Sequence, residues 1–168
     1  VIMSLKKEGG IHPFDDVDFA YSMDHYLQSD GYGDYFWRDP DTNDFPDRMP
    51  TMGEIRGKIV ILRRYEIPGN WYGDYGIDAT DWPDNTSASI ESDGGVKMYV
   101  QDHFKISAFT DDKYRNYVKP TFEKAKSGSQ NTWYINFTSA AYGLLPASYA
   151  WGYDALGERV NQKIEDYV

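Results

Sequence analysis

The sequence predicts an α/β fold in which parallel strands alternate with helices, and three observations lead to it. Four short β-rich runs are spread along the 168 residues. Patterns of helical period lie between them. The first two runs are almost continuously apolar before they turn polar, as parallel strands buried on both faces are. The order βαβαβ…βα calls for a parallel sheet, and four such strands make an open half of an eight-stranded barrel.

The first run covers residues 1–5, Val1-Ile2-Met3-Ser4-Leu5. After it, Asp15 and Asp16 offer caps to a helix whose Phe19, Met23 and Leu27 recur at i, i+4 and i+8. Thr51 and Glu54 have capping-box spacing and Gly57 suits a helix stop, so a short helix is expected just before the second strand, residues 58–65. The third run is 97–102. Asp111 or Asp112 then caps a helix with Tyr114, Val118, Phe122 and Ala125 on one stripe, and Pro120 inside it predicts a kink. The fourth run is 132–138, and the last helix carries Leu156, Val160, Ile164 and Tyr167. Loops are expected at 9–14, 29–50, 66–85 and 139–153, and loops of such length in a compact domain are functional or disordered.

Composition narrows the partners. A net charge of −10 excludes a nucleic-acid partner, which requires a basic stripe, and disfavours strong adsorption to an anionic membrane. There is no cysteine, which fits a secreted bacterial protein and rules out thiolate chemistry. The 15 Tyr and 5 Trp serve either an aromatic-rich core or a carbohydrate or lipid-interface surface, since both rings join an apolar face to a polar tip.

Each β-rich run ends in polar residues: Lys6, Lys7 and Glu8; Arg63 and Arg64; Gln101 and Asp102; Asn136 and Thr138. In parallel α/β architectures the carboxyl ends of the strands converge on one face, where ligands bind. Lys6, Arg64 and Asp102 are therefore candidates for one site on a polyhydroxylated, anionic ligand. Lys and Arg donate to hydroxyl and phosphate oxygens, and Asp accepts from hydroxyls. The same residues are equally able to form surface ion pairs at strand ends.

Five blocks, in order, carry a family resemblance. Ile2-Met3-Ser4-Leu5-Lys6-Lys7-Glu8, the stretch Arg56-Gly57-Lys58-Ile59-Val60-Ile61-Leu62-Arg63-Arg64-Tyr65, Trp82-Pro83-Asp84-Asn85, Val100-Gln101-Asp102, and Tyr134-Ile135-Asn136-Phe137-Thr138-Ser139 resemble the later half of bacterial phosphatidylinositol-specific phospholipase C. The resemblance spans nearly the whole chain, with divergent loops. It implies residues 1–168 of a distorted TIM-type (β/α)8 barrel, its second half. It implies a parent that cleaves phosphatidylinositol to diacylglycerol and inositol 1,2-cyclic phosphate by attack of the inositol 2-hydroxyl on phosphorus. The family's two catalytic histidines and its phosphate arginine belong to blocks before the one that opens this chain. No catalytic residue is therefore expected here, and the missing half is an expected partner.

By motif position the resemblance implies inositol-binding roles for Lys6, Arg64 and Asp102. Phe104 stands where the family has a ring-stacking tyrosine, and it keeps the stacking face without the hydroxyl. Trp82 and Asp84 resemble residues near the pocket. Lys6 supplies positive charge where related eukaryotic enzymes bind calcium, so no metal or cofactor is expected. The apolar loop with Tyr142, Leu144, Leu145, Tyr149 and Trp151 resembles a membrane-contacting rim, which implies peripheral attachment to a lipid surface, and the implied location is secreted. Its alternative is packing on the final helix. Of the three histidines, His25 is expected on the surface and His103 is expected to point away from Asp102 by strand alternation. His12 follows Glu8 in a loop. Competing readings are a non-catalytic inositol- or glycan-binding module, or a phosphodiesterase for another head group.

Overall fold

The computed structural model describes residues 1–8, 16–29, 31–67, 76–106, 110–141 and 159–167. The fold is α/β, and the chain divides into two compact units. One comprises Val1–Trp82 and Glu91–Val96, the other Pro83–Ile90 and Lys97–Val168.

In the first unit, β1 (Ile2–Lys6), β2 (Val60–Arg64) and β3 (Ile77–Asp78) form a parallel sheet in that order. β1 and β2 run in register from Ile2 beside Val60 to Lys6 beside Arg64. Because successive side chains alternate between faces, Leu5, Ile61 and Arg63 share one face while Lys6, Leu62 and Arg64 share the other. The first face meets helix α1 (Asp16–Asp24) and the π turn His25–Ser29 that continues it. Leu27, Phe45 and Ile61 form the buried core there, with Leu5, Met23, Phe36 and Ile67 packed around them. The predicted positions Met23 and Leu27 thus face the core, and Phe19 sets its ring edge on Tyr65 at 4.8 Å.

The segment after Thr51 corrects an expectation. The capping-box contacts form, with the Thr51 amide and hydroxyl donating to the Glu54 carboxylate at 2.6 and 2.8 Å, yet the chain makes only turns up to Gly57. Few residues separate Pro50 from Gly57, whose φ is +77°, too few to recover the cost of nucleating a helix.

The second unit holds β4 (Ser87–Ile90 of the strand Ser87–Glu91), β5 (Lys97–Gln101) and β6 (Thr132–Asn136). β5 and β6 are parallel, with Gln101 beside Asn136. β4 departs from the expected all-parallel pattern. The Asp102 amide donates to the Thr86 carbonyl and the Ser92 amide to the Val96 carbonyl, each at 3.0 Å, so β4 and β5 are an antiparallel hairpin. The turn, Ser92 to Val96, belongs to the first unit, where the Asp47 carboxylate accepts the Gly94 amide at 2.7 Å. The four predicted runs coincide with β1, β2, β5 and β6, but they pair two by two in separate three-stranded sheets and not in one parallel sheet, and β3 and β4 add to them.

Helix α2 (Thr110–Lys113), a π turn (Tyr114–Val118) and α3 (Lys119–Ser127) form one helical run. Asp111 and Asp112 lie inside its first turn, not at its cap, because the run starts at Thr110. Pro120 lies within this continuous run, directly after the π turn, where it has no N–H to give to the preceding turn. Helix α4 (Val160–Glu165) closes the described chain, and Tyr167 stacks on Phe122 at 5.5 Å. Leu156 lies outside the described residues.

Candidate functional site

Lys6 and Arg64 end adjacent parallel strands as register partners on one face. Parallel neighbours sit about 4.8 Å apart, so two cations here repel unless something offsets them. Two contacts do. The Lys6 ammonium meets the Glu8 carboxylate at 3.2 Å, and the Arg64 guanidinium lies over the Trp82 ring at 4.2 Å. Trp82 is 5% exposed, so the ring is a fixed wall that orients the guanidinium.

The neighbouring Arg63 does the opposite job. It is buried on the helix-facing side, where it donates to the Asp78 carboxylate at 2.6 Å and to the Tyr65 carbonyl at 2.8 Å. Burial pushes the Asp78 carboxyl up, but hydrogen bonds from Thr80 and the Arg63 charge outweigh it and hold the group below its ordinary value. This pair locks the end of β2 to β3.

In the second unit, Asp102 and Phe104 follow the end of β5. Both are half-buried. The Phe104 and Lys105 amides donate to the Asn85 carboxamide oxygen at 3.0 and 2.7 Å. Asn85 has a φ of +52°, which asparagine tolerates and which turns its side chain onto those amides. Asp84, just before it, is exposed in the turn.

Beneath Asp102 lies a polar network that sequence reasoning missed. Gln101 is fully buried. Its Nε2 donates to Asn136 Oδ1 and to the Phe137 carbonyl, both at 2.8 Å, and its Oε1 accepts the His103 amide at 2.9 Å. Lys113, also fully buried, donates from Nζ to Gln101 Oε1 at 3.0 Å and to the His103 carbonyl at 2.5 Å. Nothing in Thr110-Asp111-Asp112-Lys113 announces a buried lysine; only the uncommon pair of amide residues at matched strand ends, Gln101 and Asn136, hinted at a network.

Lys6, Arg64 and Trp82 belong to the first unit, and Asp84, Asp102 and Phe104 to the second. The ring of His103 stacks on Tyr117 at 4.1 Å, and burial followed by the Lys113 charge lowers its pKa, which favours a neutral imidazole. His25 is exposed, edge-on to Tyr26. His12 and the rim residues Tyr142, Leu144, Leu145, Tyr149 and Trp151 lie outside the described residues. Among the described residues no group of three or more His, Asp or Glu side chains could hold a metal ion, and no helix is long and apolar enough to cross a membrane. A surface groove of about 420 Å³ beside Phe36, Arg38 and Lys58 contains none of the predicted site residues, and its cations are engaged: Lys58 donates to the Asp34 carbonyl and Arg38 to those of Asn43 and Leu27.

No protein-family model matches the chain. Solved structures do match. A pentafluoro-phenylalanine form of phosphatidylinositol-specific phospholipase C from Staphylococcus aureus superposes with a TM-score of 0.68 at 26% identity, covering 99% of this chain and 53% of that one. A form of the S. aureus enzyme from work on its membrane binding gives 0.59 at 28% identity, over 85% of this chain and 46% of that one. A double mutant of the same enzyme gives 0.65 at 24% identity, over 99% and 52%. The chain spans about half the length of the enzymes it matches, and its fold is similar to that part of phosphatidylinositol-specific phospholipase C.

Proposed function

We propose that this chain is the inositol-binding part of a phosphatidylinositol-specific phospholipase C-like phosphodiesterase. The observation that carries the reading is the register pairing of Lys6 with Arg64 at the carboxyl ends of β1 and β2, with Arg64 held on Trp82. A paired cationic strand end suits one anionic, oxygen-rich ligand, and the S. aureus structures that share this fold are named for phosphatidylinositol.

In this reading Lys6 and Arg64 donate to the inositol hydroxyls and phosphodiester, Asp102 accepts from ring hydroxyls, and Phe104 offers its face to the ring. Trp82 and Asp84 line the approach. The reaction served is intramolecular: the 2-hydroxyl loses its proton and bonds to phosphorus, the phosphorus–oxygen bond to diacylglycerol breaks, and the leaving alkoxide takes up a proton. Lys6 and Arg64 are poor proton shuttles near neutral pH, so that transfer falls to groups outside the described residues. Positive charge from Lys6 makes the reaction independent of calcium. The loop with Tyr142, Leu144, Leu145, Tyr149 and Trp151 would meet the lipid surface of an extracellular substrate.

The test is titration of the protein with myo-inositol 1-phosphate, followed by calorimetry. Each charge-assisted hydrogen bond contributes about 1.5–3 kcal/mol, so Lys6→Ala and Arg64→Ala should each weaken binding by roughly 10–150-fold. Wild-type affinity in both variants, or none in the parent, would refute the reading.

A further inference from the structure

We propose that Lys113 is a positioning residue for head-group recognition: its ammonium ties α2 to the carboxyl end of β5 and fixes the backbone that presents Asp102 and Phe104. The inference rests on the proposed roles of those two residues and goes beyond them, because Lys113 has no place in the motifs that suggested the site.

β5 ends at Gln101, and past it the backbone keeps the Asp102 amide on the Thr86 carbonyl and the Ala141 amide on the Phe104 carbonyl. Side chains add to these. Gln101 receives the His103 amide, and Lys113 bonds both Gln101 Oε1 and the His103 carbonyl. Asp102 is thereby bracketed on both sides by groups that meet at one ammonium. Its own amide donates to the Thr86 carbonyl at 3.0 Å, and Asn85 takes the amides of Phe104 and Lys105. On the far side the network runs through Gln101 to Asn136, whose Nδ2 donates to the Val118 carbonyl at 2.9 Å in the π turn. One cation thus connects the residues around Asp102 to β6 and to the helical run.

The choice of lysine has a cost that a purely structural contact would avoid. Burial pushes the Lys113 ammonium down to about 8 from an ordinary value near 10.5, and the Asp102 charge pulls it the other way. A buried cation is retained most readily where it fixes geometry, since an apolar residue of the same volume is often as stable. The titratable groups facing it among the described residues are Asp102, His103 and, 5.9 Å from its ring centre, Tyr117. On its own helical run, Asp111 is turned to Arg115 and Lys163.

The test compares the parent protein with Lys113→Met, Asp102→Asn, the double variant, and Lys126→Met as an exposed-lysine control. Two quantities are read: the affinity for myo-inositol by NMR titration, and the ligand-free amide resonances of His103 and Phe104. Lys113→Met should displace both resonances, raise the titration midpoint of the His103 ring and weaken myo-inositol binding at least tenfold. The double variant should bind no more weakly than Asp102→Asn alone. Parent-like resonances and affinity in Lys113→Met, beside lost affinity in Asp102→Asn, overturn the positioning role and leave the head-group reading standing. Full affinity in Asp102→Asn overturns the head-group reading and this role with it. If Lys113→Met does not fold, the parent decides: its affinity and the two resonances should change as pH rises through about 8 and the ammonium loses its charge. A flat profile from pH ~7 to ~9 overturns the proposal.

Discussion

Removing the Asp78 carboxylate should cost the first unit a large part of its stability. In Asp78→Ala the Arg63 guanidinium stays buried, with side-chain exposure of only 9%, and keeps the Tyr65 carbonyl while losing its charged partner. Breaking one side of a buried ion pair costs about 3–5 kcal/mol, because the remaining charge is left uncompensated. The Thr80 amide and hydroxyl lose their acceptor as well, both at 2.8 Å from Asp78, which keeps the estimate toward its upper end. With a urea slope of about 2 kcal/mol per molar, the midpoint should fall by about 1.5–2.5 M. Urea denaturation followed by circular dichroism reads this directly. Replacing both partners, Arg63→Met with Asp78→Leu, should recover most of the loss. The acid limb gives a second reading. The Asp78 carboxyl is held below 3.8, so its stabilisation is fully present above about pH 4 and is lost as pH falls through the folded value. Asp78→Ala should flatten that limb. A midpoint shift under about 0.5 M, or an unchanged acid limb, would show that the pair does not lock β2 to β3 and would refute the reasoning.

Asn85→Ala should destabilise the protein by about 1–3 kcal/mol in thermal denaturation, since the Phe104 and Lys105 amides lose a shared acceptor; Asn85→Gly should lose as much despite suiting the positive φ. Gly76→Ala should cost a similar amount, about 1–3 kcal/mol, because the φ of +91° is strained for alanine and a Cβ there would lie 2.5 Å from the Ile61 carbonyl oxygen. Glu54 is held at about 2, chiefly by the Arg48 hydrogen bond and then by Thr51, so Arg48→Ala should raise its midpoint in a carboxyl NMR titration while leaving it below 4.5.

What could be read in advance follows from how local each signal is. Val60, Ile61 and Leu62 are apolar because β2 is covered on both faces, and that requirement is written into the residues themselves. Met98 and Val100 mark β5 by alternation instead, both on one buried face. β3 is two residues long and carries no period to detect. β4, Ser87-Ala88-Ser89-Ile90-Glu91, has one bulky apolar residue, and only the Asp93-Gly94-Gly95 turn signalled that it was half of a hairpin. Lys113 was illegible because its burial is decided by Gln101 and His103, which are distant in sequence, and a lysine beside two aspartates reads as solvated helix. The capping box at Thr51 and Glu54 formed its contacts without its helix, since a cap supplies hydrogen bonds and does not supply length.

The two charged strand ends follow one rule. At Arg63-Arg64 the first residue is spent on the scaffold, through Asp78, and the second stands beside Lys6 on the opposite face. At Gln101-Asp102 the first is again buried in a network, through Asn136 and Lys113, and the second follows it out of the strand. Adjacent residues in a strand point to opposite faces, so the scaffold contact of the first determines the side on which the second emerges. A one-residue slip of β2 against β1 would turn Arg64 into the helix-facing core and send Arg63 to the face of Lys6. The helix-facing core opposes that slip, because it would turn Ile61 away from Leu27 and Phe45 and take Arg63 off Asp78. The specificity of the proposed site is therefore held by residues that never touch a ligand, and mutations at Asp78 or Gln101 should impair head-group binding in proportion to the register or backbone order they disturb.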